Sequence, residues 1–180
     1  MSIKEKSMTK IITPEFRGSF VTLMEPKAFS ADQAPKYSMV IALPKEDEFF
    51  KKLKASIDEA AMTKWGEIPK KLKTFLKDGD EEDEKYDWQG LTVFTASNKS
   101  KPGVVVKSED GKLEEPMTNE EIYSGAFYRA SVRPYAYEYN KTKGVAISLD
   151  NVMKTKDGEK FTSRTSATED FSEFLEGDWS

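Results

Sequence analysis

The chain has 180 residues, enough for about one domain with its own core, and it contains neither cysteine nor histidine. The first absence leaves no disulfide framework and no thiolate chemistry, as suits a reducing compartment; the second removes the commonest neutral-pH base and zinc ligand and excludes Ser-His-Asp and Cys-His machinery. The formal net charge of -4 argues against a partner as acidic as a nucleic acid only until its distribution is read.

From the amino terminus, Met1 to Lys10 is polar and without an apolar stretch of signal-peptide length, and no segment approaches membrane-spanning length. A flexible lead of residues 1–9 and a soluble, intracellular protein with no membrane partner are expected. Phe16 to Leu23 reads as a strand in which Gly18 marks a bulge or sharp coil, followed by a loop from Glu25 to Pro35. Tyr37 to Leu43 is a second strand, stopped by Pro44. Glu46 to Trp65 is a helix: Phe50, Leu53, Ile57, Ala60, Ala61 and Trp65 recur at helical spacing, the acids Glu46, Asp47 and Glu48 suit its positive end, and Gly66 stops it. Pro69 to Leu76 is expected as a short second helix, and Asp78 to Asp87 as a solvated acidic loop.

Leu91 to Ala96 and Gly103 to Lys107 read as strands joined by the basic turn Ser97 to Pro102. Asp110-Gly111 is another turn. A long strand from Gly125 to Tyr139 turns through Asn140 to Gly144 into a last strand from Val145 to Lys154, a hairpin by its turn chemistry. Five to six strands with one long inserted helix are a mainly β pattern and fit a small barrel of the oligonucleotide-binding (OB) kind over residues 10–164. Phe16, Phe20, Ile41, Val132 and Ile147 are its expected core.

The long strand carries the chemistry. Alternation puts Tyr128, Ala130, Val132 and Ala136 on one face and Phe127, Arg129, Ser131, Arg133, Tyr135, Tyr137 and Tyr139 on the other. Arginines interleaved with flat rings are what an unpaired strand of nucleic acid needs, cations for phosphates and rings for bases. Amphipathic strands with tyrosines on the wetter side are also common in proteins that bind nothing of the kind. Arg129 and Arg133 are the candidate phosphate ligands, with Arg17, Lys99, Lys101 and Lys107 at the edge; Tyr135 and Tyr137, then Tyr139, are the candidate stacking residues.

The charge is unevenly placed. Beyond Arg164 there is no basic residue, while Glu169, Asp170, Glu173, Glu176 and Asp178 are acidic, so residues 1–164 hold 28 basic against 27 acidic side chains (32 less five). Between Asp78 and Asp87 lies a second acidic run, which leaves the rest of the surface basic. In residues 165–180 the acids alternate with Phe171, Phe174, Leu175 and Trp179, a composition that builds no core and reads as a disordered acidic-aromatic tail. Two expectations stand for it: an acidic terminus without a role, or a segment able to dock on a basic, apolar pocket of a partner or in the protein's own basic groove. Asp78, Asp80 and Asp83 lack the glycine and terminal glutamate spacing of a calcium loop, so no metal, cofactor or catalytic residue is expected.

Taken in order, Lys10 to Phe29 (KIITPEFRGSFVTLMEPKAF), Pro35 to Asp47 (PKYSMVIALPKED), Lys64-Trp65-Gly66, Tyr123 to Tyr139 (YSGAFYRASVRPYAYEY) and Gly144 to Phe161 (GVAISLDNVMKTKDGEKF) resemble phage-encoded single-stranded-DNA-binding proteins. The similarity is greatest to a family once labelled only as a domain of unknown function, which adopts an OB barrel. A more distant similarity is to the replication single-strand binder of short-tailed coliphages. The resemblance implies sequence-tolerant binding and protection of single-stranded DNA in phage replication, recombination or repair, in the cytoplasm of the infected bacterial host. In the coliphage relative, an acidic tail ending on an aromatic residue recruits replication proteins and supports dimerisation. Carried over, this makes phage or host replication proteins the partners of the tail and a homodimer the assembly, although here the tail is shorter, less acidic and ends on Ser180. Two other readings stand beside it: a phage protein-interaction or assembly module on the same barrel, and, more distantly, a metal-dependent nuclease.

Overall fold

The structure is a computed structural model that describes residues 10–28 and 30–161. The flexible lead 1–9 and the acidic-aromatic tail 165–180 expected from the sequence lie outside the described residues. In chain order the elements are β1 (Ile11–Ile12), β2 (Phe16–Arg17), β3 (Ser19–Lys27), β4 (Lys36–Pro44), α1 (Phe49–Trp65), β5 (Lys77–Asp78), β6 (Leu91–Asn98), β7 (Gly103–Lys107), β8 (Leu113–Glu114), β9 (Phe127–Tyr139) and β10 (Thr142–Lys156).

The β9–β10 hairpin is the long axis of the molecule. Asn140 and Lys141 take φ of 49° and 65°, the left-handed pair of a tight turn whose twist matches that of the strands it joins. Pairing then runs from Thr142 opposite Tyr139 to Lys156 opposite Phe127. On its other edge β9 pairs with β1, Ile12 lying opposite Ser131, and with β2, Phe16 lying opposite Tyr128. The run from Phe16 to Lys27 leaves β9 at Gly18 and continues as β3 against β4; β4 pairs along its length with β6, and β6 meets β10 in parallel at Ser148 and Ser97. The neighbours β2/β3, β4, β6, β10 and β9 therefore follow one another around a five-stranded wall. The sheet ladder joins β6 to β10 at a single residue pair, so the sheet is not closed, the partly open form typical of OB barrels. β7 lies parallel to β10 and carries β8 on its far side.

Inside the wall lie Leu23, Met39, Ile41, Phe94, Ala96, Tyr128, Val132, Val145, Ile147 and Leu149, each at most 1% exposed. α1 closes the barrel with Phe49, Leu53, Ile57 and Ala61. It starts at Phe49 and not at Glu46 as expected, so the acids Glu46, Asp47 and Glu48 precede its first turn, and Asp47 Oδ1 accepts from the N–H of Phe49 at 2.8 Å. Gly66 ends it at φ 72°, its N–H donating to Met62 O. Phe49, rather than Phe50, is the fully buried ring of the pair.

Four expectations are corrected. Phe20 is 55% exposed, not core. Four residues of β3 (Ser19 to Thr22) face three of β4 (Val40 to Ser38), so a bulge breaks the alternation and turns Phe20 outward at φ 47°. The loop expected from Glu25 begins only after Lys27. Pro69 to Leu76 is not a helix: Lys73 N–H donates to Lys143 O, and Val145 N–H to Lys73 O, which covers the open edge of β10. That edge needs partners, and tertiary pairing overrides local propensity. The acidic run is not a free loop either. Lys45 Nζ reaches Asp78 at 2.7 Å and also Asp80, and β5 plus two short 3-10 turns are built around this contact.

Tyr128 joins wall and loop. Its hydroxyl donates to Tyr123 O at 2.6 Å and accepts from Tyr123 N–H at 2.9 Å, and burial pushes its pKa upward. Replacing it by phenylalanine strips both backbone groups of their partner. Tyr128→Phe is expected to lower stability by about 1–3 kcal/mol, seen as a lower urea midpoint at unchanged m-value. An unmoved midpoint would show that water takes over both bonds.

Candidate nucleic-acid interface

β9 buries Tyr128, Ala130, Val132 and Pro134 against the core, so the residues between them must face out. Arg129, Tyr135 and Tyr139 are exposed; Phe127, Ser131, Arg133 and Tyr137 are half-buried along the same face. Cross-strand pairing sets Tyr139 beside Thr142, Tyr137 beside Gly144, Tyr135 beside Ala146, Arg133 beside Ser148, and Arg129 beside Met153. The neighbours on β10 are thus small around the tyrosines. At Gly144 this is required: a Cβ there would sit 2.5 Å from Cζ of the Tyr137 ring, so that ring lies across the bare backbone.

The cations differ in how free they are. Arg129 is exposed, with Nε donating to Thr13 O at 3.0 Å. Arg133 Nη2 is 3.1 Å from Asp150 Oδ2, which also faces Lys10 at 3.8 Å. Lys99 and Lys101, both exposed, lie in the connection from β6 to β7, and Lys107 is the exposed last residue of β7. Since Gly103 pairs with Asn151, and Val106 with Lys154, this connection flanks the middle of β10 and Lys107 its far end.

Arg17 is engaged elsewhere. Its Nε donates to Gly125 O at 3.0 Å, its Nη2 to Glu159 O at 2.6 Å, and its guanidinium stands 4.0 Å over the Phe161 ring. It clamps the segment after β10 to the barrel. Alongside, Lys154, with a side chain 8% exposed, is neutralised by Asp157 at 2.6 Å. The Lys154 ammonium, then the Tyr123 hydroxyl, hold the Asp157 carboxyl below the usual carboxylate range.

The structure adds residues that the sequence pattern had not singled out. Lys156 stands 4.6 Å over the Phe127 ring at one end of the face. Around the wall, Phe20 meets Tyr86 edge-on at 5.7 Å, Tyr86 stacks on Trp88 at 4.6 Å, and a groove of about 260 Å³ between β3, β4 and β6 opens beside Phe20. Among the described residues no group of three acidic side chains converges as a metal site. Hydrogen bonds from Lys45, then from the backbone N–H groups of Asp80 and Gly90 respectively, hold the carboxyls of Asp78 and Asp80 below their ordinary range. Among the described residues no helix is long and apolar enough to cross a membrane.

A partly open OB barrel with cations and rings along one outer strand is the class of fold that the chain presents. The family model described as Enterobacter phage Enc34, ssDNA-binding protein, matches residues 9–179, and the chain belongs to that family, which is one of binding proteins and not of enzymes. It is 33% identical over 167 residues to protein p50 of Acyrthosiphon pisum secondary endosymbiont phage 1, covering 85% of this chain and 86% of that one. Among solved structures it resembles the single-stranded DNA-binding protein from bacteriophage Enc34 in complex with ssDNA (TM-score 0.73, 25% identity, 86% of this chain and 90% of that one). A C-terminal truncation of the same Enc34 protein gives a TM-score of 0.71 at 26% identity over 85% of this chain and 88% of that one. The bacteriophage T7 protein gp2.5 shares the fold at 14% identity, with a TM-score of 0.58 over 95% of this chain and 97% of that one.

The contact between Tyr137 and Gly144 has a measurable signature. Gly144→Ala is expected to cost about 1–3 kcal/mol by overpacking, and the cost should vanish in a Tyr137→Ala background, where the ring is gone. Additive losses in the double-mutant cycle would show that the ring does not rest on this backbone.

Proposed function

We propose that this protein binds single-stranded DNA with little regard to sequence, along the outer face of β9 and β10. The observation that carries the reading is the β9 alternation: Arg129, Arg133, Tyr135, Tyr137 and Tyr139 share the face opposite the core, in a family whose Enc34 member has been solved with ssDNA. Successive outward residues are about 7 Å apart, a spacing that lets a base stack on one side chain while a cation two residues away meets its phosphate. Tyr135 and Tyr137 stack on bases, with Tyr139 extending the platform at the turn. Arg129 and Arg133 face the sugar-phosphate chain, and Lys99, Lys101 and Lys107 guard the β7 side. Arg17, paired with Phe127, acts as a clamp at the far end of the same face.

Coating single strands in this way serves phage DNA replication, recombination or repair in the host cytoplasm. Residues 10–164 act as the binding domain. The tail, through Glu169, Asp170, Phe171, Glu173, Phe174, Glu176, Asp178 and Trp179, recruits replication proteins or competes with DNA for the basic face, and a homodimer is the assembly that the coliphage resemblance suggests.

A second reading is favoured by the exposed Phe20, whose left-handed backbone is unusual for a bulky residue and marks a position held for a purpose. In it the strand crosses β3, β4 and β6 beside Phe20.

Fluorescence titration with a labelled oligonucleotide tests these readings. Tyr135→Ala and Tyr137→Ala should each cost about 1–3 kcal/mol of binding. With about four cations engaged, log affinity should fall against log salt with a slope near -3. Loss on Phe20→Ala with no loss at Tyr135 or Tyr137 would move the site to β3, β4 and β6, and no binding by the folded protein would favour a protein-interaction module. Deleting Thr168 to Ser180 should tighten binding if the tail competes; unchanged affinity would remove that role.

A further inference from the structure

Asp150 is the odd residue of β10. Leu149 pairs with Val132 and Asn151 with Ser131, so Asp150 is the extra residue of a bulge with no opposite number on β9. A bulge interrupts the ladder and re-aims a side chain. Here the carboxylate is turned onto the same face as Arg133. Its Oδ2 lies 3.1 Å from Arg133 Nη2 and 3.8 Å from Lys10 Nζ, and its Oδ1 accepts from Ser148 Oγ at 3.0 Å. Ser148 is itself steadied by Asn98, whose Nδ2 reaches Ser148 Oγ at 3.4 Å and Leu149 O at 3.1 Å.

On this face two buried donors, Arg133 Nε and Ser131 Oγ, are left without a hydrogen bond among the described residues, as is Asp150 Oδ2 itself. Buried donors without partners are costly, and they are kept where a ligand or water completes them. Ser131 and Arg133 are one pleat apart on the outer face, and Lys10, just before β1, lies on the same side because Ile11 pairs with Val132. A guanidinium and an ammonium on one carboxylate, with an unpartnered hydroxyl one pleat away on the same face, offer the kind of donors that a tetrahedral oxyanion takes.

We propose that Lys10, Ser131 and Arg133 form a phosphate site on the β9–β10 face, and that Asp150 occupies it as a built-in stand-in until a backbone phosphate of single-stranded DNA displaces the carboxylate. This rests on the proposed use of that face for DNA and adds a residue that weakens binding by design. Its consequence is electrostatic. Arg133 is already neutralised before DNA arrives, so it adds little to the salt dependence, and DNA remains exchangeable at a site that would otherwise hold it tightly.

Asp150→Asn keeps the shape of the bulge and removes the charge. Its affinity for a labelled oligonucleotide should rise about fivefold, the scale of one surface charge pair, and its log–log salt slope should steepen by about 0.7, one more phosphate on a single strand. Ser131→Ala, which leaves the ion pair intact, should weaken binding with the slope unchanged. Thermal unfolding verifies that each variant is folded, and Asp150→Ser replaces the asparagine variant if that one is not. Unchanged or weaker binding by Asp150→Asn, while Tyr135→Ala still loses affinity, overturns the phosphate site and leaves the DNA face standing. Unchanged binding in both overturns the face as well. Unchanged affinity of Ser131→Ala removes the hydroxyl from the site.

Discussion

β9 is held on both edges and buried on one face, and most of the molecule follows from that. β1 and β2 take up one edge in turn and β10 takes the other, so the strand has no freedom to rotate about its axis. Tyr128, Ala130 and Val132 are locked into the interior, and a pleat of period two leaves Arg129, Ser131, Arg133, Tyr135 and Tyr137 nowhere to point but outward. A slip of one residue would place two arginines in the core. The cost of that error fixes the register, and the register composes the outer face. Beyond Val132 the β1 ladder has ended, and Pro134, which has no N–H to offer, blunts the edge left open.

Around this frame the charges are matched locally more than globally. Lys45 gathers Asp78 and Asp80, Lys154 takes Asp157, and Lys156 lies near Glu15 at 3.5 Å. In the sequence the acids are concentrated in the run around Asp78, which Lys45 pins, and beyond Arg164. A polyanion approaching that row meets arginines, lysines and rings, with Asp150, among the described residues, the one acid ion-paired to an arginine of the row. The field at the site is set by a handful of neighbours, and the sum over the chain says little about it.

Much of this was legible in the order of residues. The alternation of β9 predicted both its faces, and the spacing of Leu53, Ile57 and Ala61 marked α1; Asn140 marked the hairpin, although its turn is only Asn140 and Lys141, and Gly144, expected to end it, lies inside β10. What escaped was whatever depended on a partner distant in the chain. Pro69 to Leu76 looked helical until the bare edge of β10 claimed Lys73. Phe20 looked like core because a bulge cannot be placed without knowing its opposite strand. The bulge at Asp150 did leave a trace: Val145, Ile147 and Leu149 are spaced by two, then Val152 follows after three. Arg17 read as a surface cation because nothing near it in sequence reveals the carbonyls of Gly125 and Glu159.

The tight turn at Asn140 and Lys141 bears on the order in which the chain assembles. Closing two residues costs little loop entropy, and hairpins form within microseconds. The contacts that wrap the barrel, such as Arg17 to Gly125, span 108 residues. Separations of that size dominate the search time of a β protein. In synthesis the amino-terminal strands must also wait for their partners, since β2 has no ladder until β9 exists. The outward row of β9 thus depends on a local hairpin, whereas the wall behind it depends on the pairing of β1 and β2 with β9, the contacts of greatest sequence separation.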